Sequence, residues 1–115
     1  LNSSGTGNTA IGYQAMDAVT TGSNNTGLGY NALGSATGSQ NVGIGANAGT
    51  ALTSGSNNIV IGANKQLLST TGSDQLNIGD WIYGNGGNIG IGTSSLTSGA
   101  KLEVAGTVKI TGGSP

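Results

Sequence analysis

The sequence of 115 residues contains no cysteine, histidine, phenylalanine or arginine, and its single proline is the last residue. Without cysteine, no disulfide can cross-link the fold. The residue types that usually form nucleophile–base pairs and metal sites are therefore missing, and the four acidic residues (Asp17, Asp74, Asp80 and Glu103) are scattered. Asp74 and Asp80 could share an inter-chain cation, but solvation at the surface is favoured. We expect no enzyme activity, no catalytic residues, no metal and no cofactor.

Charge is also scarce, because three lysines and four acidic residues leave a formal net charge of -1. A nucleic-acid-binding surface needs clustered basic side chains, so nucleic acid is not an expected partner. No apolar run approaches the roughly 18 residues that cross a membrane, so no membrane contact is expected in this segment. The 24 glycines suggest disorder, but the aliphatic residues recur at regular intervals, which favours a folded repeat.

A repeat runs through most of the chain. An aliphatic residue followed by glycine recurs at intervals of 17, 16, 17, 17 and 13 residues, and these anchors are Ile11, Leu28, Ile44, Ile61, Ile78 and Ile91. Three residues before each anchor stands an amide side chain: Asn8, Asn25, Asn41, Asn58, Gln75 and Asn88. The period is too short for paired helices, and glycine costs about 1 kcal/mol at an interior helical position. Each unit is therefore predicted to form one coil of a parallel β-solenoid.

Within each unit, alternation with period two, as in Val42 and Ile44, predicts one short strand. We expect the aliphatic residues to fill the inside of each coil and the glycines to permit positive φ or close backbone approach. We expect the asparagines to stack in a ladder, bonding the turn of their own coil or the asparagine of the next. So few aliphatic residues cannot form a large core, so identical chains should pack side by side, with some aliphatic residues facing a shared axis.

The pattern changes near the C-terminal end. The last interval of 13 predicts an abbreviated coil over residues 72–84, and residues 101–110 predict a strand, a turn at Ala105-Gly106 and a second strand. The apolar residues of these two strands (Leu102, Val104, Val108 and Ile110) should share one face. We predict a β-solenoid over residues 1–92 and a β junction or collar over residues 93–115. The final T-G-G-S-P is expected to be a linker to a further module.

Three units, N-T-A-I-G-Y-Q-A-M (8–16), N-T-G-L-G-Y-N-A-L (25–33) and N-V-G-I-G-A-N-A-G (41–49), carry a family resemblance. They resemble the head repeats of trimeric autotransporter adhesins, the YadA-like heads, and are similar to the shafts of phage tail fibres. Residues 88–108 are similar to a segment that precedes the tip or chaperone module of such fibres. The resemblance implies an all-β fold, a left-handed parallel β-roll with coils of about 16–17 residues, assembled as a homotrimer. It also implies an extracellular location, on a bacterial surface or a phage virion, and binding to a glycan or protein of a target cell.

Four aromatic residues are the candidate ligand contacts. Tyr13 and Tyr30 follow the anchor glycine in successive units and should stack, with packing favoured over ligand contact. Trp81 and Tyr83 lie where the repeat breaks, where a tryptophan is favoured as the cap of the solenoid, with a sugar-stacking platform as the alternative.

The expected function is a structural segment of a trimeric fibre that presents or extends a cell-binding tip. The alternative is that the segment itself is the receptor- or glycan-binding surface. A remote alternative is an ice-binding solenoid, which the placement of threonine in turns disfavours. Binding of the fragment to cells or a glycan array separates the first two, and a thermal-hysteresis assay tests the third.

Overall fold

The computed structural model describes residues 4–113, so the ends of both predicted domains and the Ser-Pro of the predicted linker lie outside the described residues. These residues form no helix; they form a β-solenoid of about six turns, which confirms the predicted all-β class. The described chain is elongated, with principal dimensions of 58 × 25 × 22 Å.

Eight short strands form one sheet in chain order: β1 (Thr9–Ile11), β2 (Thr26–Leu28), β3 (Val42–Ile44), β4 (Ile59–Ile61), β5 (Gln75–Ile78), β6 (Ile82–Asn85), β7 (Asn88–Ile91) and β8 (Leu102–Val104). Strands β1 to β5 are parallel, one for each repeat unit. Their register places anchor above anchor, as in the pairs Leu28–Ile44 and Ile61–Ile78. The sequence repeat is therefore also the structural repeat.

The sheet reverses direction after β5, so the prediction of an abbreviated coil over residues 72–84 is wrong. Strand β6 is antiparallel to both β5 and β7, and β8 is again parallel to β7. Gly86 and Gly87 have φ of 57° and 83° and form the two residues between the paired Asn85 and Asn88. Two successive residues with positive φ suit the tight turn of a hairpin. The short interval of 13 residues thus contains a hairpin instead of a coil.

The interior of the solenoid is filled from the turns. A Cβ placed on Gly27 would lie 2.6 Å from Cγ of Met16, and one on Gly43 would lie 2.6 Å from Cγ of Leu33. The central residue of each strand therefore faces inward. The buried cluster comprises Met16, Val19, Leu33, Ala36 and Leu52, with half-buried Leu67 against it.

The expectation that the anchor residues fill the inside of each coil is wrong. Each anchor is adjacent to a central strand residue that points inward, as Ile44 is to Gly43, and successive strand residues point to opposite faces. The anchors and the residues two positions before them consequently lie on the outside of the sheet.

A ladder of buried asparagines joins successive coils. Oδ1 of Asn25 accepts the backbone N–H of Asn41 at 2.8 Å, and Nδ2 of Asn25 donates to the carbonyl of Gly38 at 2.9 Å. Asn8, Asn41 and Asn58 make the equivalent pair of bonds. Both bonds go to the following coil, so the predicted alternative of a bond to the turn of its own coil does not occur at these four positions.

The glycine after the anchor meets both of its predicted requirements at Gly29. Its φ is 127°, and a Cβ there would lie 2.7 Å from the carbonyl carbon of Gly45 in the next coil. A side chain would therefore be strained by the backbone conformation and would also overlap the neighbouring backbone.

The junction contains one strand instead of the predicted two. Leu102–Val104 forms β8, whereas residues 107–110 are not in a strand. A strand needs a hydrogen-bonded neighbour, and residues 107–110 have none in the single chain. Since β8 pairs with β7, the sheet also runs across the predicted boundary at residue 92.

Candidate functional site

The outside of the eight-stranded sheet is the most extensive apolar surface of the chain, and we call it the outer face. Paired residues of adjacent strands share a face, so the strand register defines two columns of side chains. The anchor column contains Ile11, Leu28, Ile44, Ile61, Ile78, Ile82, Ile91 and Val104. The second column contains Thr9, Thr26, Val42, Ile59, Leu76, Gly84, Ile89 and Leu102. All six predicted ladder aliphatics thus lie in one column, which the hairpin continues instead of interrupting.

The outer face is open to solvent in the single chain. Ile11 is 59% exposed, Leu28 and Ile91 are each 43% exposed, and Leu102 is 60% exposed, whereas Leu33 in the interior is 0% exposed. Isolated exposed aliphatic residues are ordinary, but a contiguous apolar patch on a soluble protein marks an interaction surface. Two unbroken columns across eight strands form such a patch.

The interior and the asparagine ladder together hold the outer face in place. A shift of one residue in a strand would exchange its two faces. It would place Ile61 in the interior in place of Val60, which is 0% exposed, and would break the bonds between the asparagine amides and the next coil. The positions of the outer-face side chains are therefore fixed by buried groups that they do not touch.

A row of tyrosines borders the outer face at its N-terminal end. The rings of Tyr13 and Tyr30 are stacked, with centroids 5.8 Å apart and planes inclined by 11°, which confirms the predicted stacking. Both rings are exposed. Ala46 and Ala63 follow them in the same row, so the aromatic part of the row covers two coils only. Beside it, Asn31, Asn47 and Asn64 form a second amide ladder through side-chain bonds of 3.3 and 2.9 Å.

The tryptophan does not cap the solenoid, so that prediction is wrong. Trp81 lies in the turn between β5 and β6, is 74% exposed, and its ring lies 3.5 Å from the position of a Cβ on Gly79. Three further strands extend the sheet beyond this turn, so no end of the solenoid is available there for it to cover. Trp81 remains an exposed aromatic side chain beside the outer face.

A polar cluster, formed by Lys65, Gln66, Asn77, Asp80 and Tyr83, occupies the interior side of the sheet where it reverses. Nζ of Lys65 lies 2.6 Å from Oδ2 of Asp80, and Nδ2 of Asn77 donates to Oδ1 of Asp80 at 2.8 Å and to the carbonyl of Gln66 at 2.6 Å. The bond from Lys65, then that from Asn77, holds the pKa of Asp80 below its ordinary value. Burial, and secondarily the nearby Asp80, raises the pKa of Tyr83. Asp80 is thus occupied by a lysine.

Two features of this region could be found in the sequence only in hindsight. Lys65 and Asp80 are 15 residues apart, close to one coil length, which places them in neighbouring coils. Gln75 replaces asparagine in the ladder, and its longer side chain turns back to the backbone N–H and carbonyl of Ser69 at 2.8 and 3.0 Å. The substitution of glutamine for asparagine therefore marks the end of the ladder. Asn88 lies opposite Asn85 in the hairpin, outside the ladder.

A cavity of about 270 Å³ opens at the N-terminal end of the solenoid, where the interior of the first coil meets solvent. Its lining comprises Asn8, Ala10, Gln14, Ala15, Met16, Asp17 and Val19. Asp17 is the only titratable side chain in it, so the cavity contains no pair of groups suited to acid–base or nucleophilic chemistry. Within residues 4–113 no three acidic side chains come together in a way that could hold a metal ion.

Comparisons of the chain with protein-family models, with curated proteins and with solved structures each gave no match. In the part of the chain that the structure describes, no helix is long and apolar enough to cross a membrane. The outer face is therefore the feature from which function is argued.

Proposed function

We propose that this chain is a structural segment of a homotrimeric fibre, in which it presents or extends a cell-binding tip outside the cell, on a bacterial surface or a phage virion. The observation that carries the proposal is the outer face, because its two apolar columns need a cover and a second and third copy supply an identical one. The trimer and the left-handed coil follow the resemblance to adhesin heads and tail-fibre shafts.

The energetics favour assembly. Complete burial of a Val, Leu or Ile side chain contributes about 1.5–3 kcal/mol, and the outer face has an aliphatic side chain in most of its sixteen positions. Burying the remaining exposed half of each contributes roughly 1 kcal/mol per residue by the same measure. Summed over one chain, this exceeds the cost of association, which is estimated at roughly 4–15 kcal/mol.

A rod suits the role of a spacer. The chain is more than twice as long as it is wide, and each added coil lengthens it by about 4.8 Å, the spacing between strands. Parallel packing of identical copies keeps the ends of all chains together, so that a tip at one end is presented as one unit.

The oligomeric state tests this proposal directly. We expect sedimentation equilibrium at micromolar concentration to give three times the chain mass, and small-angle scattering to give a rod. A folded monomer at that concentration would contradict the proposal, since the outer face would then be stable in water. The same fragment should bind neither target cells nor a glycan array, because the tip lies elsewhere.

The exposed aromatics support the second candidate, in which the segment itself binds a glycan or protein of the target cell. Tyr13, Tyr30 and Trp81 all keep most or half of their surface in solvent, and exposed aromatic rings are suited to stacking against sugars. Binding of the isolated fragment to cells or to an array would favour this candidate. Loss of that binding in Tyr30→Ala and Trp81→Ala, with the oligomer intact, would locate the surface.

A further inference from the structure

The C-terminal edge of the sheet is unpaired, and the residues that follow it are exposed. Strand β8 pairs only with β7. Val108 is 61% exposed and Ile110 is 87% exposed, and residues 107–110 are not in a strand. An edge strand with free backbone groups is a template for a further strand. A short alternating segment with no partner therefore lies beside an edge that lacks one.

We propose that residues 107–110 of one copy pair with the β8 edge of a second copy, so that neighbouring copies exchange strands at the C-terminal end of the solenoid. The inference rests on the proposed homo-oligomer and adds to it the site at which the copies interlock.

The pattern of side chains fits this pairing. Val108 and Ile110 are two residues apart, as Leu102 and Val104 are in β8, and a charged residue stands between the two members of each pair. An added strand would therefore place both apolar residues on the outer face, where they extend its two columns. It would place Lys109 on the side of Glu103, whose carboxylate accepts from the backbone N–H and hydroxyl of Thr97.

The chain does not make this pairing with itself. The N–H of Ala105 donates to the carbonyl of Ile91 at 2.9 Å, which continues the pairing of β8 with β7. The chain then leaves the sheet at Gly106, which has φ of 136° and no atom within 4 Å of the position of a Cβ. Because residues 107–110 do not return to their own β8, the edge remains open to another copy.

Engineered cysteines test the exchange, since the chain has no cysteine of its own. One set of chains carries Leu102→Cys or Val104→Cys, and the other carries Val108→Cys or Ile110→Cys. Cβ atoms of same-face neighbours on adjacent strands are about 4.5–5.5 Å apart, close to the range of about 3.5–4.5 Å that a disulfide spans. The sets are mixed, refolded together and oxidised. We expect a covalent dimer containing one chain of each set in at least one of the four combinations.

The control combines Val108→Cys with Ile11→Cys, which lies at the far end of the same column and should not cross-link. Sedimentation of every mixture before oxidation separates the two proposals. A monomeric sample contradicts the homo-oligomer, whereas an oligomer that gives no mixed disulfide in any combination contradicts strand exchange alone. The double variant Val104→Cys/Val108→Cys supplies the remaining outcome, since a disulfide formed only within one chain would show a hairpin and overturn the exchange.

Amide hydrogen exchange on the unmodified protein gives an independent measurement. Pairing with β8 should slow exchange of the backbone amides in residues 107–110 by at least about tenfold relative to an unstructured peptide. Exchange at the unstructured rate in the assembled protein would overturn the proposal.

Discussion

Single buried amides join the coils to one another at the scale of residues. Each ladder asparagine bonds two backbone groups of the following coil, so that one side chain replaces two bonds that the narrow interior could not supply from water. Asn25, Asn41 and Asn58 are all 0% exposed. The backbone groups that they bond are therefore costly to leave without a partner.

Asn41→Ala tests this arrangement. The change leaves the N–H of Asn58 and the carbonyl of Gly55 without partners, at roughly 1–3 kcal/mol each. We expect the free energy of unfolding, measured by urea titration, to fall by about 2–5 kcal/mol. The matched control is Ser73→Ala, which removes an exposed bond to the N–H of Ser56 that water can replace. If the two variants unfolded at the same urea concentration, the ladder would not be a main source of stability.

The ion pair of Lys65 and Asp80 should make stability depend on acid. The pKa of Asp80 is lowered in the folded state, so the carboxylate stabilises the fold above its ordinary pKa of about 3.9, and this contribution is lost as the pH falls through the lower folded value. Both side chains are partly exposed, so the contribution should be under about 1 kcal/mol. The difference in unfolding free energy between the parent and Asp80→Asn should be constant from pH 5 to 8 and shrink below about pH 4.

Lys65→Met is the control for that experiment, because it removes the first cause of the pKa shift. In this background, Asp80→Asn should have a smaller effect with a weaker dependence on acid. An unchanged pH profile would assign the shift to the other groups around Asp80.

Complementary sizes set the contact between coils at the scale of elements. The turn residues Met16 and Leu33 lie against the strand glycines Gly27 and Gly43 of the next coil. In the following coil the sizes are reversed, since Gly49 lies against Val60, with 3.4 Å between the position of its Cβ and Cγ2 of Val60. Each interface thus pairs one large residue with one small residue, which fills the interior at constant volume.

A double-mutant cycle at Leu33 and Gly43 tests this pairing of sizes. Gly43→Val alone should cost about 1–3 kcal/mol by overpacking, because its Cβ would overlap Leu33. Leu33→Gly alone opens a cavity, at about 2–5 kcal/mol, partly offset because Leu33 has φ of 52°. Together they recreate the combination of Gly49 and Val60, so the double variant should be more stable than the sum of the single changes by roughly 1–3 kcal/mol. Additive losses in urea titrations would show that the two positions do not pack as a pair.

The whole molecule has two apolar surfaces with separate roles, since the interior holds the chain and the outer face holds the assembly. Ile44→Asn on the outer face should therefore weaken the oligomer by about 2–4 kcal/mol per chain, repeated at each symmetric copy. The strand content of the chain, measured by circular dichroism, should remain. The matched control is Val60→Asn in the interior, which should unfold the chain itself. An Ile44→Asn variant that sediments like the parent would show that the outer face is not the interface.

The sequence alone determined the features that depend on local repetition. A constant interval between Ile11, Leu28, Ile44 and Ile61 permits only coils of equal length stacked in register, so the parallel strands and the stacked Tyr13 and Tyr30 could be predicted from it. Only the tertiary structure decided which side of each strand is inside. Alternation with period two specifies two faces but not which of them is buried, and Met16 and Leu33 reach the interior from turns in which no alternation marks them. The reversal at β6 was equally invisible, because a strand reads the same in either direction and pairs according to its neighbours. The outer face, on which the proposed function depends, is therefore a property of the packed coils rather than of any one repeat.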